Sequence, residues 1–171
     1  NLTANKKNII ETQWPLINLG EVVDVKIGGT PSRDNSSYFN GNNLWVSISE
    51  MKGQIITDTK EKITEEGIKK SNVKLIPKGT TLLSFKLSIG KTAIAGKDLY
   101  TNEAIAGLIP KDKKIISNEF INQIFTAKII DLESNGFKAF GKSINSEFLR
   151  DEVKIQIPPI EIQKKIVDPC T

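Results

Sequence analysis

Ile76-Pro77-Lys78-Gly79-Thr80-Thr81-Leu82-Leu83-Ser84-Phe85-Lys86-Leu87-Ser88-Ile89-Gly90-Lys91-Thr92-Ala93-Ile94-Ala95 is the stretch whose reading decides the fold class. Pro77-Lys78-Gly79 reads as a turn, because proline presets φ and glycine takes up conformations that other residues avoid. Residues 81–85 and 92–95 are short runs of apolar and hydroxyl side chains bounded by turn residues, so they read as the two strands of a hairpin. Gly90-Lys91-Thr92 resembles the end of a phosphate-binding loop. That loop needs a further glycine five positions earlier, so that backbone N–H groups can wrap the phosphate, and position 85 is Phe. A strand turning tightly into its neighbour is the better reading.

Similar short runs lie on either side. Residues 21–27, 44–48, 54–56 and 105–109 are rich in Val, Ile and Thr. Gly28-Gly29, Asn40-Gly41-Asn42 and Gly96-Lys97-Asp98 separate them as turn signals. Thr64 is placed to cap a short helical turn that begins with Glu65 and Glu66. After Pro110 the period changes. Ile121, Ile124, Phe125, Ile129 and Leu132 recur at three- and four-residue steps. This predicts a helix from Ser117 or Asn118 to about Ser134, stopped by Asn135-Gly136. A second short helix should follow Asn145, anchored by Phe148 and Leu149. Val153, Ile155 and Ile157 alternate as a last strand, and Pro158-Pro159 opens a final helix over 160–167. The order is β-rich first and helical last, so the fold class is α+β.

Composition narrows the chemistry. The 171 residues contain no histidine and one cysteine, Cys170. Ser-His-Asp and Cys-His catalysis are thereby excluded, and so are the usual zinc sites and a disulfide framework. No stretch approaches the roughly 20 apolar residues of a membrane span, and residues 1–13 form a polar lead-in without a signal-peptide core. A reducing, cytoplasmic setting is expected. The net charge of +4 permits nucleic-acid binding without demanding it. Only Arg33 and Arg150 are arginines among the 24 cationic residues, so each asks for its own account.

Arg33 lies in the most informative loop, from Gly28 to Phe39. Thr30, Ser32, Arg33, Asn35, Ser36 and Tyr38 are the groups that read base edges: Arg on guanine, Asn on adenine, hydroxyls on either. The same residue types also make ordinary turns. Lys86 and Lys91, flanking the hairpin tip, are candidates for phosphate contact, which positions a protein without reading sequence. As solvated lysines they would equally discourage edge-to-edge aggregation. Ile157-Pro158-Pro159-Ile160 lacks the amide or carboxylate and the aromatic with which an amino-methyltransferase would hold a flipped base, so methyl transfer by this chain is not expected.

Several segments together resemble the specificity subunits of Type I restriction–modification systems. They are Trp14 with Leu19-Gly20-Glu21; Gly28-Gly29-Thr30-Pro31-Ser32 with Tyr38-Phe39; Leu44-Trp45-Val46-Ser47-Ile48; the hairpin quoted above; Thr101-Asn102-Glu103-Ala104-Ile105-Ala106; and Ile157 to Val167. The resemblance implies a β-rich target-recognition domain over residues 14–158, wound somewhat like a double β-helix, and the start of a spacer helix over 159–171. It further implies a non-catalytic reader of one half of a split double-stranded DNA target. A partner modification subunit would hold S-adenosylmethionine and methylate adenine, and a restriction subunit would cut; this chain would need no cofactor of its own. Members usually carry two recognition domains. The single one here implies a fragment, a half-length subunit or the reader of a fused methyltransferase. The apolar stripe of Ile160, Ile162 and Ile166 would meet a partner: the modification subunit, a second recognition domain or another copy of the chain. The competing reading is a vestigial reader kept for assembly. An uncharged surface around Thr30 and Tyr38 would favour that, whereas Arg33 and lysines converging on one face would favour DNA.

Overall fold

A computed structural model describes residues 14–132 and 144–169. The polar lead-in, the Asn135-Gly136 stop and Cys170 lie outside the described residues. Backbone contacts divide the chain into two compact units, one holding residues 26–108 and the other the residues before and after them.

The unit of residues 26–108 is built on two sheets. Strands β2 (Val23–Ile27) and β9 (Ile105–Pro110) cross its boundary, and the sheet order is β2-β9-β6-β7-β4. The expected hairpin is present: β6 (Thr81–Ser84) pairs antiparallel with β7 (Thr92–Ala95), with Leu82 opposite Ala93. β4 (Ile55–Ile56) runs parallel to β7. Strands β6 and β9 are buried on both faces for most of their length, which explains continuous apolar runs where a half-exposed strand would alternate. Their side chains join Val46, Met51, Ile56, Ile76 and Leu99 in one core. Each fully buried Leu or Ile there contributes about 1.5–3 kcal/mol.

The second sheet has the order β5-β3-β8, from β5 (Glu61–Ile63), β3 (Phe39–Val46) and β8 (Tyr100–Thr101). Strand β3 corrects the expectation of a turn at Asn40-Gly41-Asn42. Those residues lie inside the strand, where Phe39 and Asn43 both pair with Ile63 across a bulge and Asn40 takes φ 60°. The turn-forming residues thus supply a kink within a strand. Short helix α1 (Glu65–Lys69) follows, and the Thr64 side chain accepts from the Gly67 N–H as expected for its cap.

In the other unit, β1 (Leu16–Asn18) pairs antiparallel with β10 (Lys154–Gln156). Helix α2 (Asn118–Thr126) is capped by Ser117 but stops well short of Ser134. Lys128 takes φ 53°, and the Ile130 N–H turns back to the Ile124 carbonyl. Leu132 is buried all the same, so the last residue of the apolar stripe is held in irregular chain instead of a helix. Helix α3 (Ser146–Asp151) is capped by the Asn145 side chain and anchored by buried Leu149. Helix α4 (Ile160–Val167) opens after Pro158-Pro159 as expected and packs on α2. The α+β reading of the sequence holds. Among the described residues no helix is long and apolar enough to cross a membrane.

Candidate nucleic-acid interface

The loop after β2 is held by backbone approach. The N–H of Gly28 donates to the Ile105 carbonyl at 3.2 Å, and that of Gly29 to the Thr101 carbonyl at 3.0 Å. A Cβ on Gly28 would sit 2.1 Å from the Thr101 oxygen, so this pair is a close-packing requirement where the sequence suggests only a turn. Buried Trp45 donates its indole N–H to the Gly29 carbonyl at 3.0 Å. Farther along, the Asn35 side chain accepts from the Ser37 N–H at 3.0 Å and from its hydroxyl at 2.6 Å, capping the turn Ser36–Tyr38. The Thr64 hydroxyl donates to the Ser37 carbonyl at 2.8 Å, which ties the loop to the start of α1.

Arg33 has a definite place in this frame. Its guanidinium meets the Glu61 carboxylate through two bonds, Nη1 to Oε1 at 2.5 Å and Nη2 to Oε2 at 3.2 Å. It lies 4.8 Å from the ring centre of Phe39 and 5.2 Å from that of Trp45, a cation held over two aromatic faces. The hydrogen bond to Arg33 holds the Glu61 carboxyl below the usual range and raises the guanidinium in turn. Thr30 donates its hydroxyl to Glu103, and that bond is the main reason the Glu103 carboxyl is held low. The positive charges of Lys86 and Arg33 add smaller contributions of the same sign.

The hairpin tip completes the surface. Lys86 and Lys91 are exposed, with the Lys86 ammonium 5.4 Å from the ring centre of Phe85. Thr30, Arg33 and Asn35 therefore spend polar atoms on the loop's own shape, while Ser32, Ser36, Lys86 and Lys91 face solvent and Tyr38 is half-buried. Glu61 and Glu103 escape a reading of the sequence. Their partners lie 28 and 73 positions away, and no local spacing marks them.

The expected partner stripe on α4 is only partly open. Ile166 is 3% exposed, whereas Ile160 and Ile162 are half-buried. Ile160 and Val167 open onto a groove lined also by Lys113, Ser117 and Lys164. Gln163, which the apolar pattern passes over, is fully buried. Its amide nitrogen donates to the carbonyls of Ile115 at 2.7 Å and Pro158 at 2.9 Å, and its oxygen accepts from the Ser117 N–H at 3.0 Å. Arg150 belongs to this unit as well, packed where a Cβ on Gly20 would come within 2.7 Å of its own Cβ. Among the described residues no cluster of three or more His, Cys, Asp or Glu side chains could hold a metal ion.

Comparison with known proteins agrees with the motif series. A family model described as the Type I restriction modification DNA specificity domain matches residues 11–169. The chain is 29% identical over 163 residues to the Type I restriction enzyme MjaIX specificity subunit of Methanocaldococcus jannaschii, covering 92% of this chain and 37% of that protein. It is 26% identical over 164 residues to the HindI specificity subunit of Haemophilus influenzae, covering 90% and 35%. The chain thus spans a little over a third of the length of these relatives. The crystal structure of the HsdS subunit from Thermoanaerobacter tengcongensis shares the fold, with a TM-score of 0.72 at 21% identity, over 97% of this chain and 40% of that one.

Proposed function

Since the chain belongs to the family of Type I restriction modification DNA specificity domains, we propose that it reads one half of a split double-stranded DNA target and makes or breaks no bond itself. The observation that carries this is that the loop after β2 and the base of the β6–β7 tip attach to adjacent residues, Thr30 donating to Glu103 and the Phe85 N–H to the Ala104 carbonyl, so that the loop of Arg33 and the tip of Lys86 are anchored side by side. Exposed cations are what a phosphate backbone requires, and the hydroxyl and amide groups of the loop suit base edges.

Within this reading the exposed Ser32 and Ser36, with half-buried Tyr38, are free to approach the bases. Thr30 and Asn35 shape the loop that presents them. Arg33 reaches a guanine by exchanging one bidentate acceptor, Glu61, for another, the O6 and N7 pair. Lys86 and Lys91 take phosphates. Catalysis belongs to a modification subunit, which would bind S-adenosylmethionine, and cleavage to a restriction subunit. Ile160 and Ile162 are the part of α4 open to that modification subunit or to a second recognition domain. Selecting bound sites from random duplexes with the modification subunit present tests the proposal. Recovery of one short sequence, lost or altered when the loop residues are changed, is the expected result. Recovery of no preferred sequence would return the chain to the assembly reading.

A further inference from the structure

We propose that Leu87, at the tip of the β6–β7 hairpin, is an apolar wedge that enters the base stack of bound duplex. The inference rests on the DNA-reading function above and adds to it a residue that neither charge nor hydrogen-bonding capacity would select.

Leu87 is 93% exposed, far beyond the next large apolar residue, Leu16 at 62%. It also sits at φ 63°, a left-handed conformation that branched side chains avoid and that costs free energy to hold. A residue that is both strained and solvated contributes nothing to folding. Glycine at this position would fold at least as well.

The tip is built so that Leu87 cannot fold back. Ser84, fully buried at its base, donates its hydroxyl to the Ser88 carbonyl and accepts from the Lys91 N–H at 2.9 Å. The Gly90 N–H returns to the Ser84 carbonyl at 2.9 Å, with Gly90 at φ 89°. Below them the Phe85 N–H donates to the Ala104 carbonyl at 3.0 Å. Sinking Leu87 into the protein would break this lattice. Lys86 and Lys91 stand exposed on either side of it.

An aliphatic point in a cationic collar fits a ligand that is anionic outside and apolar within. Duplex DNA has that construction: phosphates flank the groove, and stacked bases lie behind them. Leu is among the side chains that part a base step, and the cost of unstacking is offset when the bend brings more protein surface onto the backbone. The two exposed lysines can neutralise phosphates as the wedge enters.

The test uses the chain together with its modification subunit and a target duplex carrying 2-aminopurine at successive positions. Wild type should raise the fluorescence at one step, marking unstacking there. Leu87→Gly should abolish that rise and weaken binding on the order of tenfold, while its melting temperature is unchanged or higher. Leu87→Met should restore the signal. Equal fluorescence and affinity for wild type and Leu87→Gly would overturn the wedge and leave DNA reading intact. Loss of assembly with the modification subunit in Leu87→Gly would make the tip a protein contact and equally overturn it. Failure of the wild-type complex to bind any duplex would remove the functional reading together with the wedge.

Discussion

Arg33 and Glu61 form a two-bond pair whose cation lies over Phe39 and Trp45, so the one arginine of the loop after β2 is already engaged within the chain. Both partners are substantially exposed, 56% and 43%, so the pair adds little to stability. What it does is hold the guanidinium flat and oriented. A planar donor pair presented in one geometry loses less entropy when it exchanges acceptors.

Arg33→Ala should relax preference at a single base position and cost roughly 1–3 kcal/mol there. Glu61→Gln should have the opposite signature, with tighter binding to all duplexes because an uncompensated cation is released and a negative charge removed. Binding profiles over a set of single-base target variants distinguish the two. Parallel shifts of the whole profile for Arg33→Ala would deny it a role in base readout.

On the proposed reading, the lysines of the tip act on the phosphate backbone. Lys86→Ala and Lys91→Ala should each weaken every sequence alike and reduce the slope of log affinity against log salt by about one unit. Affinity measured across a salt series checks this, and a slope unchanged in both variants would place the tip away from phosphate.

Gln163 predicts a stability effect with no direct counterpart in DNA contacts. Gln163→Leu keeps the bulk but leaves the Ser117 N–H and the Ile115 and Pro158 carbonyls without their partner. The loss should be about 2–4 kcal/mol, read as a lower urea midpoint. A midpoint unchanged from wild type would mean that water replaces the amide at no cost.

Acid should loosen the reading loop. The carboxyls of Glu61 and Glu103 are held below their ordinary range in the folded chain, so the folded state favours their ionised forms. Their contribution is complete above the ordinary glutamate range and is lost as pH falls through the lowered folded values. Melting temperatures of wild type and the doubly substituted E61Q, E103Q chain should therefore converge as pH is lowered from 7 to 3, a range that brackets ordinary carboxyl titration. A constant gap across that range would exclude the linkage.

Much of the fold is legible locally. Thr64, Ser117 and Asn145 each cap the helix expected after them, because a cap is a property of three or four adjacent residues. The β6, β7 and β9 strands are legible because burial on both faces makes them continuous apolar runs. The three-residue strands β1 and β5 and the two-residue β8 are not, since their pairing is set by distant partners. Asn40-Gly41-Asn42 misleads for a definite reason: residues such as Asn that tolerate positive φ suit some turns, and here Asn40 uses that tolerance inside a bulged strand. The same holds for the site. The loop and tip residues show in the sequence, whereas Glu61, Glu103 and Gln163 matter through contacts that only the folded chain supplies.

The Gly28 N–H, just past the end of β2, is bonded to the carbonyl of Ile105 at the start of the neighbouring strand β9, which has a bearing on how such a chain could change its reading. The segment bearing the loop and the tip leaves and rejoins the chain at two points that are far apart in sequence and side by side in space. It is a cassette with adjoining ends. Replacement of everything between two splice points would install a different reading surface, provided the new segment brings its ends together again and supplies a strand to pair with β9. The lock around Gln163 lies wholly outside the replaced segment and would pass through such an exchange untouched.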